Sequence, residues 1–81
     1  MDDKTRLFKL VSNDQATVHK TLLEVYNSLK ERGYNPIDQI VGYLISGDLG
    51  YISSYQDARS KIKTIDRSKI VEVLLTSMLN K

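Results

Sequence analysis

Apolar residues recur along most of the chain at helical spacing, and the polar residues between them are placed to start and stop helices. Val18, Leu22, Val25, Tyr26 and Leu29 follow an i, i+4, i+7, i+8, i+11 series, one face of a long amphipathic helix. Ser12 or Asn13 is a suitable N-cap for that helix, and Gly33, just past Arg32, supplies a left-handed stop. Asn35-Pro36 is an N-cap and first-turn pair, since proline loses nothing where its missing N–H has no intrahelical partner. A second helix is therefore expected from Pro36, with Ile37, Ile40, Val41, Leu44 and Ile45 as its buried stripe and Gly47 as its end. Gly47-Asp48-Leu49-Gly50 reads as a tight turn, and a serine cap predicts a shorter third helix over about residues 54–63.

Asp66 caps a last helix that runs to about Leu79, and its pattern differs from the others. Ile70, Val71, Val73, Leu74, Leu75, Met78 and Leu79 spread over about two thirds of the helix circumference at 100° per residue. A helix apolar on so many sides is either central to the fold or shared with a second subunit, and at this position the pattern favours a shared interface. Residues 1–11 mix Lys4, Arg6 and Lys9 with Leu7, Phe8, Leu10 and Val11 and follow neither helical nor strand periodicity, so they read as a flexible tail with the capacity to dock. The expected architecture is all-α: a compact bundle of about four helices over residues 12–81, preceded by the tail at 1–11, and homodimeric through the last helix.

Composition narrows the chemistry. With 81 residues the chain can assemble one hydrophobic core and no second domain. It has no cysteine and one histidine, His19. That removes disulfides, thiolate nucleophiles and cysteine metal sites, and leaves zinc with one imidazole and carboxylates, a poor ligand set. Asp48, Asp57 and Asp66 each sit at a turn or cap position, and no strained nucleophile accompanies His19, so no catalytic site, cofactor or metal is expected. Gly42 and Gly47 have the spacing of two phosphate-loop glycines, but Asp48 and Leu49 stand where that motif needs lysine and Ser/Thr. Gly42, inside the second helix, is better explained by a close helix–helix approach. The start Met1-Asp2-Asp3 and the lack of a long apolar run point to a cytoplasmic protein without membrane insertion.

A formal charge of +2 is too small to make nucleic acid the expected partner, but its distribution is uneven. Residues 53–69 carry Arg59, Lys61, Lys63, Arg67 and Lys69 against Asp57 and Asp66, a net of +3. Such runs are usually solvated surface. The functional alternative is an anion site, since Arg59 and Lys63 stand four apart on one helical face and can address a phosphate or carboxylate. The rival ligand is DNA, with the second and third helices as a helix-turn-helix. Low net charge, Asp57 in the recognition position and a long turn rank that reading second. Tyr26, Tyr34, Tyr43, Tyr51 and Tyr55 read as packing residues with exposed hydroxyls and not as a base-stacking platform.

Gly33-Tyr34-Asn35-Pro36-Ile37-Asp38-Gln39-Ile40-Val41-Gly42-Tyr43-Leu44, continued by Ser46-Gly47-Asp48 and Tyr51-Ile52, resembles the IreB family. Asp57-Ala58-Arg59 with Ile62-Lys63 resembles its next motif, and Thr5-Arg6-Leu7-Phe8-Lys9-Leu10 its N-terminal one, so the likeness covers nearly the whole chain. The sequence departs from the family pattern at Arg6, adjacent to the threonine, at Leu49-Gly50 in place of proline and alanine, and at Ser53 in place of a proline. The resemblance implies a small dimeric helical regulator with a mobile tail. It further implies a substrate of a membrane Ser/Thr kinase with extracellular PASTA repeats, reversed by a cognate phosphatase. The implied output, through a downstream protein, is peptidoglycan precursor synthesis and tolerance of cell-wall antibiotics. Thr5 matches the acceptor threonine. Access agrees, because a threonine in a tail enters a kinase cleft without unfolding anything, whereas Thr17 and Thr21 fall within the first helix. A phosphate of about −1.5 to −2 charge would turn a tail of net +1 into one near −1.

Overall fold

Four α-helices and two short 3₁₀ turns account for most of residues 15–80, the part of the chain that the computed structural model describes. The helices are α1 (Gln15–Arg32), α2 (Pro36–Ser46), α3 (Ala58–Lys63) and α4 (Arg67–Leu79), with 3₁₀ turns at Leu49–Tyr51 and Tyr55–Asp57 between α2 and α3. There is no strand among the described residues. The expected tail, Thr5 within it, and the Ser12/Asn13 cap lie outside them.

The helix ends follow their sequence signals. Gly33 (φ 93°) closes α1 in a Schellman arrangement, the Tyr34 amide donating to the Leu29 carbonyl and the Gly33 amide to Lys30, each at 3.0 Å. The Asn35 side chain accepts from the Asp38 amide at 3.1 Å and Pro36 occupies the first turn of α2. Asp66 caps α4 by accepting from the Ser68 amide at 3.2 Å.

Val18, Val25 and Leu29 of α1 are buried against Ile62 of α3 and Ile70 and Val73 of α4. Ile52, fully buried, plugs the connection between α2 and α3 into the same core. In α1 the expected stripe holds, with Leu22 and Tyr26 at its half-buried edge.

Three local expectations are corrected. In α2 the buried residues are Pro36, Ile40 and Tyr43, while Ile37, Val41 and Ile45 are exposed at 58%, 45% and 79%. The helix carries two apolar faces, and the core takes the one that includes the tyrosine. The third helix starts at Ala58 and not near Ser54, because Gln56 (φ 51°) and Asp57 (φ 62°) are both left-handed and break any continuous helix there. Finally, Gly42 makes room for the Tyr51 ring and not for another helix. A Cβ at Gly42 would stand 2.9 Å from Tyr51 Cε1 and Cγ, and closer still to Cδ1.

Candidate functional site

α3 is a helix of six residues whose inner side is fixed by Ala58 and Ile62, both fully buried. That anchoring turns Arg59 and Lys63, four apart, to solvent on one face, as the spacing predicts. The two side chains are not equivalent. Arg59 Nε donates to the Ile52 carbonyl at 2.8 Å and so straps the irregular connection to α3. Its two terminal nitrogens lie outside that bond. Lys63 makes no ion pair among the described residues, whereas Lys61, on the other side of α3, stands 3.8 Å from Glu24 of α1. The side chains of Lys61 and Glu24 are 38% and 44% exposed, so water partly screens that pair.

The connection from Gly47 to Asp57 is held in place by side chains instead of regular structure. The Asp48 carboxylate accepts from the Gly50 amide at 2.8 Å, and Gln39 Oε1 accepts from the Ser53 amide at 3.0 Å. The Ser28 hydroxyl, nearly buried in α1, donates to Gln56 Oε1 at 2.8 Å and holds the left-handed pair. At its start Arg67 Nη1 donates to the Leu44 carbonyl at 3.1 Å. A helix-turn-helix joins its helices by a turn of about 3–4 residues. This long, double-turned connection and the short α3 do not have that form, so the DNA reading loses its geometric basis.

Acidic side chains serve the turns: Asp48 and Asp66 accept backbone amides, and Asp57 precedes α3 without a side-chain cap bond. No group of three or more His, Cys, Asp and Glu residues among those described could hold a metal ion. His19 is exposed on α1. No described helix is long and apolar enough to cross a membrane.

The sequence did not reveal an apolar groove of about 350 Å³ where α1, α2 and α4 meet. Leu22, Leu23 and Tyr26 form one wall, Ile37, Val41 and Leu44 the other, Leu74 contributes from α4, and His19 stands at one end. The signal was present in α2, whose apolar residues are too many for one face, but sequence alone could not say which face was left uncovered. Further along α4, Leu75, Met78 and Leu79 are exposed at 52%, 72% and 71%.

The described surface thus offers a cationic face, an apolar groove and an apolar helix row. Against known proteins, the family model described as "IreB regulatory phosphoprotein" matches residues 3–80.

Proposed function

The chain belongs to the IreB family of regulatory phosphoproteins, and from that premise we propose that it is a non-enzymatic, cytoplasmic regulator of peptidoglycan homeostasis and cell-wall antibiotic tolerance, switched by reversible phosphorylation at Thr5. The observation that carries this reading is the extent of the family match, which spans the helical body and also the Thr5-Arg6-Leu7-Phe8-Lys9-Leu10 segment ahead of it. A PASTA-type Ser/Thr kinase adds the phosphate, a cognate phosphatase removes it, and a downstream protein connected to precursor synthesis reads the change. Thr17 and Thr21 lie within α1, where a kinase would have to unwind the helix to reach them.

Phosphorylation reverses the sign of the tail's charge, and the cationic pair Arg59 and Lys63 is its proposed receiver. Arg59 can take a phosphate oxygen on its terminal nitrogens while Nε keeps the Ile52 carbonyl. Two copies of the chain pair through α4, whose outer apolar row supports this reading.

The test is incubation of the full chain with a PASTA-type kinase and ATP, followed by mass-spectrometric mapping. One phosphate at Thr5, absent from Thr5→Ala and removed by the phosphatase, is expected. A chain left unmodified at Thr5 would sink the switch. Lys63→Gln, at an exposed position, should leave the fold intact and diminish phosphate-induced NMR shifts around α3.

A further inference from the structure

We infer that the groove between α1 and α2 is the binding site for residues Leu7–Val11 of the same chain, with the Phe8 ring as the anchor. The groove is concave and almost wholly carbon-lined, and it leaves Leu23, Ile37, Val41 and Leu74 each about half exposed. Half-exposed side chains of this size lining one concavity are an unfilled hydrophobic site.

Three observations select the occupant. The first is position: His19 lines both the groove and a shallow hollow with Gln15 and Ala16, at the residue where the described chain begins. The second is reach. Seven residues separate Phe8 from Gln15 and span up to about 25 Å when extended. Along α1, Leu22 is only about 10 Å from Gln15. The third is chemistry: the chain's single phenylalanine stands there with Leu7, Leu10 and Val11, four apolar side chains in five residues. The outer row of α4, with Leu75, Met78 and Leu79 exposed, is a separate apolar surface that does not line this groove.

Lys9 is the one charged residue within this stretch, and Thr5 lies two residues upstream of it. The docking needs no phosphate, so it stands or fails apart from the switch.

The chain has no cysteine, so Lys9→Cys in the full-length protein provides a unique attachment point for a nitroxide. Methyl NMR spectra should show Leu22, Leu23 and Val41 losing most of their intensity, with recovery on reduction of the nitroxide and on adding Leu7→Ala and Phe8→Ala. Both substitutions lie ahead of Gln15, where the described helical body begins. Unbroadened groove methyls would overturn the inference, as would broadening that survives the two alanines. A mixture of isotope-labelled, untagged chains with tagged, unlabelled ones separates the remaining case. Broadening in this mixture, where the labelled chains carry no tag, means that a second copy supplies the segment, which also overturns it.

Discussion

Gly42 and Tyr51 form a pair whose energetics change sign with context. Alanine in a helix interior is favoured over glycine by about 1 kcal/mol. At Gly42 the added methyl would meet the root of the Tyr51 ring, Cγ at 2.9 Å, and not a tip that swings away. Overpacking of this kind costs about 1–3 kcal/mol. Gly42→Ala is therefore expected to lower stability by about 1 kcal/mol alone, and to raise it by up to about 1 kcal/mol in a Tyr51→Ala background. Urea unfolding of the four members of the cycle measures this. The left-handed Asp57 makes a second prediction. A β-branched side chain is most strained at φ 62°, so Asp57→Val should cost about 1–2 kcal/mol. Asp57→Gly, which gains at this backbone angle what it loses in the unfolded chain, should stay within about 0.5 kcal/mol of the parent. Similar losses for both would show that the side chain matters more than the backbone angle.

At the scale of elements, the end of α2 is completed by a residue from another helix. Gly47, at φ 76°, donates its amide to the Tyr43 carbonyl at 2.7 Å, the single-bond left-handed cap, which leaves the Leu44 carbonyl unpaired by backbone. Arg67 fills that gap from the first turn of α4 and places its charge at the negative end of α2. A Cβ at Gly47 would sit 2.8 Å from the Arg67 guanidinium carbon, so the glycine also makes room for the strap. Arg67→Ala should cost about 1 kcal/mol and speed amide exchange in the last turn of α2. Gly47→Ala should cost more than Gly33→Ala, which meets nothing within 4 Å, and the difference should shrink once Arg67 is alanine. Equal costs in both backgrounds would dissociate Gly47 from Arg67.

These elements also show what the sequence made legible. Asn35, Pro36, Gly33, Gly47 and Asp66 act through local backbone chemistry that any chain with those residues shares, so four helices and most of their ends could be read directly. The face of α2 could not. Ile37, Val41 and Ile45 form one apolar row, Ile40 and Tyr43 lie on another side, and only packing against α1 decides which is buried. The start of α3 was hidden for a related reason. No glycine marks Gln56 or Asp57, and their conformation is held from a distance by Ser28. Of the candidate site, the shared face of Arg59 and Lys63 follows from spacing, but the bond from Arg59 to Ile52 depends on where the connection crosses the core.

For the whole molecule, the apolar side chains that a small chain cannot bury by itself set the terms. A domain of this size covers only about 60% of the surface its unfolded chain exposes. Here the uncovered remainder is concentrated on α2 and α4, where residues such as Ile37, Ile45, Met78 and Leu79 are more than half exposed. As proposed above, this surface is divided, the concave part assigned to residues 7–11 and the outer row of α4 to a second copy of the chain. A dimer held by this row tests that division, because a carboxylate placed there would be buried in the pair without a partner but solvated in the monomer. Leu75→Glu, alone or with Met78→Glu, should convert a dimer to a monomer in light scattering at tens of micromolar, with helical content retained because Ile70 and Val73 still hold α4 to the core. Phe8→Ala should leave the mass unchanged if, as proposed, the groove takes the tail and α4 the second copy. A parent chain that is monomeric at that concentration would refute pairing through α4. A dimer that survives Leu75→Glu and Met78→Glu but dissociates with Val41→Glu would move the interface to the groove and displace the tail from it.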